Sequence, residues 1–300
     1  MAGALSTRRA GVAISPSESA WERLRYAHLL PLAGRGEAAA QTYASLVAAV
    51  EQRRDAQRRR VAEERIARYL RVSAGAARRI FRDALRSEAI EEADSVRFMR
   101  GGASLDDGVA IEGAAERAQR PRVYAALHFG SPVLAYLGLR LQREPELRVI
   151  ARELDGNNPM PASKRDFARR KVAWVEATAG ARFLDTDRAA VLRAREHLLA
   201  GRPLYAAVDV PGDVVARAGR VHLCGDRVLI ASGIFHLAAM TGADVQMVVS
   251  AHRRGRIEVR CRPPVEACNA ADLEIAVAAE VEAVVRELPQ EWWMWPFLVV

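Results

Sequence analysis

His128 stands where the apolar run "RVYAAL" ends, and Phe129, Gly130 and Ser131 separate it from a second apolar stretch. A neutral imidazole in that position can take a proton from a hydroxyl or amine as it attacks a carbonyl. Gly130 permits close backbone approach, and the amides that open the following helix can donate to an oxyanion. Other polar groups occur where further apolar runs stop: Arg152 to Asn158, Asp185, Asp209 to Asp213, and His222 to Asp226. An arginine such as Arg152 can hold a phosphate or carboxylate through a bidentate pair.

Each of these residues also has a plainer reading. A lone histidine after a strand is commonly structural, and Arg152 can simply end a strand in solvent. Asp209-Val210-Pro211-Gly212-Asp213 reads first as a turn, with Pro and Gly in ordinary turn roles. His28, His197, His236 and His252 have no partner spacing and are read as surface or helix-packing residues. His222 ranks second to His128 because it falls beside the same cluster.

The elements that would bring these groups together are legible in the hydrophobic pattern. "RVYAAL", "LRVIAR", "ARFLD", "PLYAAVDV", "GRVHL", "VQMVVSAH" and "RIEVRCR" read as strands. Helices are predicted between them over 131–142, 163–178, 187–200, 228–241 and 271–287. Ser163 with Asp166, and Asn269 with Asp272, are expected to cap two of these. Strand alternating with helix predicts an α/β fold: a mostly parallel central sheet flanked by helices. In such sheets ligands lie beyond the carboxyl ends of the strands, which selects the polar groups named above. Residues 17–100 lack this alternation and read as a helical N-terminal region. Residues 1–16 read as a loose leader, and 101–300 as the α/β domain.

Composition sets outer limits. Half of the 300 residues are apolar, enough for a substantial core, and the formal net charge is +8. Such a balance suits an anionic partner: a phospholipid surface, an acidic carrier protein, a phosphorylated substrate or nucleic acid. "QRRDAQRRR" has no interleaved aromatics for base stacking, which argues against nucleic acid. Cys224, Cys261 and Cys268 show no metal-type spacing, and no signal peptide is evident, so reduced thiols in the cytoplasm are expected. No run approaches the roughly 20 apolar residues of a bilayer span. "EWWMWPFLVV" reads either as an interfacial anchor on the inner membrane face or as a final helix covering the sheet. No Walker, dinucleotide or metal-ligand pattern occurs, so no bound metal or redox cofactor is predicted.

In order, "HFG", "VIARELDGNNPM", "AGRPLYAAVDV", "VHLCGDRVLIASGIFHLAAMTGADV" and "LPQEWWMW" resemble the late acyltransferases of lipid A biosynthesis. Those belong, with the phosphatidylinositol mannoside acyltransferases, to the lysophospholipid acyltransferase-like superfamily. The resemblance covers roughly residues 95–295 and rests on the ordered set. It implies that His128 is a general base. It implies that Arg152, with Asn158-Pro159, holds an anionic group, and that the acyl donor is a coenzyme A or acyl-carrier-protein thioester. Gly130, Ser131 and His222 join Arg152 and Asn158 as expected substrate-binding residues.

The departures from that pattern are specific. The family's acid, five residues after the histidine, is Val133 here. Its glutamine after Asp209 is Val210, its paired aromatics before Gly225 are Leu223-Cys224, and its N-terminal membrane helix is missing. Three expectations follow. Another acid (Asp209, Asp185 or Glu153) reaches His128 from a neighbouring strand. Alternatively, His128 acts alone on an activated thioester or with an amine acceptor. Otherwise, acyl transfer is lost, leaving a subunit that binds a partner chain, or hydrolysis or elimination on the same scaffold. The first expectation is an acyltransferase of lipid, polysaccharide or specialised-metabolite biosynthesis, with Asp209 replacing the missing acid.

Overall fold

Five consecutive residues, Arg122–Ala126, are buried on both faces, as expected for a central strand in a parallel sheet. Val123, Ala125 and Leu127 enter one apolar layer while Tyr124 and Ala126 enter another, following the period of two along a strand. The computed structural model describes residues 18–113, 120–151, 160–185, 188–210, 217–253, 255–266 and 269–298.

Seven strands form the main sheet: β1 (Val109–Glu112), β2 (Arg122–Ala126), β3 (Arg148–Ala151), β4 (Leu184–Asp185), β5 (Leu204–Ala207), β8 (Asp244–Arg253) and β9 (Arg256–Val265). Their order is β1-β9-β8-β2-β5-β3-β4, parallel throughout except for the β8–β9 hairpin. A separate antiparallel hairpin pairs β6 (Ala218–Leu223) with β7 (Asp226–Ala231). The fold is therefore α/β with a mostly parallel sheet.

Helices cover both faces. The apolar layer containing Tyr124 and Ala126 is closed by α7 (Pro132–Gln142) and α8 (Ala162–Ala179). The opposite layer is larger and includes α9 (Arg188–Leu199), α10 (Gly233–Thr241) and α11 (Ala270–Glu287). The N-terminal region is helical: α1 (Ala20–Leu24), a π-helical turn, α2 (Leu30–Ala33), α3 (Glu37–Arg54), α4 (Ala56–Leu70) and α5 (Ala74–Met99). A one-turn helix, α6 (Leu105–Gly108), leads into β1. Ser73 caps α5 by accepting from the Ala76 amide. From there α5 runs 26 residues, ~39 Å at 1.5 Å per residue.

Several expectations need correction. The span read as one helix over 228–241 begins with β7, and α10 starts only at Gly233. Cys224 and Gly225 both have positive φ and form the two-residue turn that folds β7 back on β6. The apolar run after it has no period that separates a strand from a helix. Strand β1 was not foreseen; it is a four-residue edge paired only with β9. Asn269 caps α11 as expected, whereas the cap of α8 is Pro161, and the Ser163 amide bonds Glu18 instead. The C-terminal segment is a short 3-10 turn (Pro289–Glu291) followed by turns, not a helix. Trp292 and Trp295 are both wholly buried in the main core, which removes them from any membrane-facing role. The 1–16 leader lies outside the described residues. Among the described residues, no helix is long and apolar enough to cross a membrane.

Candidate active site

Strands β2 and β5 are neighbours, with Tyr124 opposite Tyr205 and Ala126 opposite Ala207. The ladder continues one step further, the Val208 amide donating to Ala126 O at 2.9 Å. Carried two residues beyond Ala126 and Ala207, the same register sets His128 opposite Asp209 on the same face of the sheet. The two side chains do meet: His128 Nδ1 lies 2.8 Å from Asp209 Oδ1. Asp209 Oδ2 accepts from the His128 backbone amide at 2.8 Å and from Trp292 Nε1 at 2.9 Å.

This geometry sets the protonation pattern. The Asp209 side chain is fully buried, so its charge has to be met by donors, and three are present. An ionised carboxylate accepts from Nδ1–H, which leaves Nε2 as the basic nitrogen of the neutral ring. Nε2 bonds to no described residue, and a third of the His128 side chain stays exposed. Burial alone would lower the His128 pKa. The charge and hydrogen bond of Asp209 outweigh it, with Glu88 and Glu91 adding to the effect, and the pKa is raised above its ordinary value.

The turn after His128 is tightly specified. Gly130 has φ +49°, and a Cβ there would sit 2.4 Å from Ser250 O, so both the backbone conformation and the space require glycine. The Ser131 amide donates to Ser250 Oγ, which in turn donates to Phe129 O. Pro132 then opens α7, whose N-terminus has no side-chain cap. Its first-turn amides, those of Val133 and Leu134, therefore remain available as donors just beyond the histidine.

The C-terminal segment closes over the same turn. The Trp293 amide donates to His128 O at 3.1 Å and the Gly130 amide to Glu291 O at 3.3 Å. Trp292 follows in extended conformation, φ −92° and ψ 116°, so adjacent side chains point to opposite sides. Trp292 turns inward to Asp209, while the Trp293 ring lies 6.0 Å from the imidazole.

Among the sequence candidates, His128, Asp209 and Gly130 come together. Val133 sits on the first turn of α7, half-buried, and packs against the apolar layer. Asp185 belongs to β4, three strands away from β2 in the sheet order. Ser131 is fully buried, its hydroxyl 3.3 Å from His252 Nε2, so it braces the turn from beneath and does not line the surface. His222 is not beside His128: it is exposed on β6, opposite Arg227 in the separate hairpin. Arg152, Glu153 and Asn158 lie outside the described residues.

Sequence reasoning missed Trp292, Glu291 and His252. His252 is half-buried, with Nε2 3.3 Å from Asp94 and Nδ1 3.6 Å from Glu291. Burial alone would lower its pKa, but the two carboxylates prevail and push it up to about 9. His252 is therefore a cation under the site at neutral pH. Among the described residues, no group of three or more His, Cys, Asp or Glu side chains is arranged to hold a metal ion.

No protein-family model matches the chain, and a search of curated proteins gives no match.

Proposed function

We propose that the chain is an acyltransferase in which His128, oriented by Asp209, is the general base for acyl transfer from a thioester to a hydroxyl or amine. The observation that carries this reading is the 2.8 Å contact from Nδ1 to a wholly buried carboxylate, with Nε2 left free on an exposed edge. A base held in one tautomer and stabilised when protonated is the arrangement that general-base catalysis requires.

The steps balance as follows. Nε2 takes the acceptor's proton as the acceptor oxygen or nitrogen bonds to the thioester carbon. The carbonyl oxygen becomes an oxyanion, for which the uncapped first-turn amides of α7 are the proposed donors. Collapse breaks the C–S bond, and the leaving thiolate takes the proton back from the imidazolium. Arg152 and Asn158 are proposed to hold an anionic group of the substrate. Coenzyme A or an acyl carrier protein is the proposed donor, and the +8 formal charge suits either of these or an anionic bilayer.

A second reading has its own support. The imidazole is a third exposed, so water can reach Nε2 and replace the acceptor, giving thioester hydrolysis. One assay addresses both. Dodecanoyl-coenzyme A is incubated with the protein and a panel of amines and alcohols, and thiol release and acylated products are followed by mass spectrometry. Expected is thiol release that falls ~10²–10⁴-fold in His128→Ala. Acylated acceptor supports transfer, and free fatty acid alone supports hydrolysis. Thiol release identical in the wild type and His128→Ala, across donors of differing chain length, refutes both.

A further inference from the structure

A recess lies away from the dyad, between the end of α4, the start of α5, the β6–β7 turn and α11. It encloses about 850 Å³, in the range of small-molecule sites. Its floor is apolar: Leu70, Val72, Ile80 and Pro289 are each only half-buried. Its rim carries three arginines, Arg68, Arg71 and Arg286, against one carboxylate, Glu282.

The rim charges are not equally committed. Arg68 pairs with Asp226. Arg286 lies over the Tyr69 ring, 4.8 Å from its centroid, and reaches Glu282 at 3.4 Å. Glu282 also accepts from the Cys224 amide at 2.8 Å. Arg71 is exposed and makes no ion pair with any described residue. Backbone conformation singles out the same place. Among the described residues, Arg71 and Cys224 are the two non-glycine residues with positive φ, each at 54°, and both line this recess. Arg71 occupies the left-handed end of α4, where glycine is the favoured residue. Arginine is held in a conformation it disfavours at the point where its charge faces the recess. Cys224 contributes only a wall, since burial pushes its thiol far above the range in which a thiolate forms.

We propose that this recess binds an amphiphilic organophosphate, with the phosphate on Arg71 and Arg286 and the apolar part against Leu70, Val72, Ile80 and Pro289. The site stands independently of acyl transfer at His128. Its occupancy has a built-in optical reporter: Tyr69 lies 6.4 Å from Trp295, which lies 4.9 Å from Trp292, the donor to Asp209.

The test is a tryptophan-fluorescence titration of the full chain with octyl phosphate below its micelle concentration, alongside inorganic phosphate and octyl glucoside. Saturable binding of octyl phosphate, much tighter than either control, is expected. Arg71→Gly weakens it about tenfold or more, the loss of one charge-assisted contact. That variant keeps or raises the melting temperature, because glycine relaxes the left-handed position; Arg286→Gln weakens binding in the same way. No binding of octyl phosphate, equal binding of octyl glucoside, or unchanged affinity in Arg71→Gly overturns the proposal. Sedimentation with phosphatidylcholine vesicles, with and without phosphatidic acid, then separates the sources. Arg71-dependent capture by the acidic vesicles assigns a lipid headgroup, and its absence alongside octyl phosphate binding assigns a free phosphate ester.

Discussion

His252 makes the stability of the fold depend on pH in a window where few other side chains titrate. Its side chain is only 17% exposed and lies between Asp94 and Glu291. Asp94 is also paired with Arg97 at 3.1 Å, and Glu291 accepts from Ser87 Oγ at 2.6 Å. The folded-state pKa is about 9 against an ordinary 6.5. A raised pKa means that the folded state holds the proton more tightly. The resulting stabilisation is complete below about pH 6.5 and is lost as pH rises through about 9. At about 1.4 kcal/mol per pH unit, a shift of this size is worth about 3 kcal/mol. Urea unfolding from about pH 6 to 10 tests this in the wild type and in His252→Gln, which keeps a donor but cannot charge. His128, also raised, tilts both curves in the same direction and cancels in the difference. The gap between wild type and variant should close by about 3 kcal/mol across the window. A gap constant to within about 0.5 kcal/mol, the usual additivity error, would falsify the assignment of a charged His252 between two carboxylates.

Asp209→Asn keeps the shape but removes the charge that raises the His128 pKa. Its pH–rate profile should shift its lower inflection downward while kcat falls by ~10²–10⁴-fold; an unmoved inflection refutes the pairing. Trp292→Phe removes one hydrogen bond to a buried carboxylate and should cost about 1.5–3 kcal/mol in denaturant unfolding. A loss indistinguishable from zero would mean that Asp209 does not need its third donor. Val133→Asp reinstates the acid at the family's position. It should destabilise by about 1 kcal/mol or more without raising activity, because that half-buried side chain packs against the apolar layer. Any gain in turnover contradicts the placement of α7. Gly130→Ala should lower the melting temperature and reduce activity together, since the turn has neither the space nor the φ for a side chain.

The main sheet was largely legible because its strands are short apolar runs separated by well-formed helices. β7 was not, because "DRVLIASGIF" joins strand to helix without a polar gap, although Cys224-Gly225 already marked a turn. Asp209 was reachable by rule, since it follows a strand in a parallel sheet. A sharper signal lay in two near-identical stretches, "YAALH" at 124–128 and "YAAVD" at 205–209. Paired in register, they put the histidine and the aspartate side by side. Nothing local pointed to Trp292, which reaches Asp209 from 83 positions along the chain. His252 was hidden for a related reason. The acids Glu91, Glu92 and Asp94 of α5 are all buried, and buried carboxylates require cations brought from elsewhere. Among those cations are Lys171 for Glu91, Arg25 for Glu92 and His252 for Asp94. Such tertiary ion pairing has no periodicity to read.

The last rung of the β2–β5 ladder, Val208 N to Ala126 O, lies immediately before the two residues that form the dyad. Because β2 is flanked by β5 and β8 and is buried throughout, the amide of that rung is expected to exchange only on global opening. His128 and Asp209 are therefore held together by the sheet itself, and among the described residues no surface loop has to close to align them. On heating, their alignment should persist until the whole domain melts. Loss of turnover and loss of the near-ultraviolet tryptophan signal would then follow one curve, with no earlier step in which an intact fold has a disordered centre.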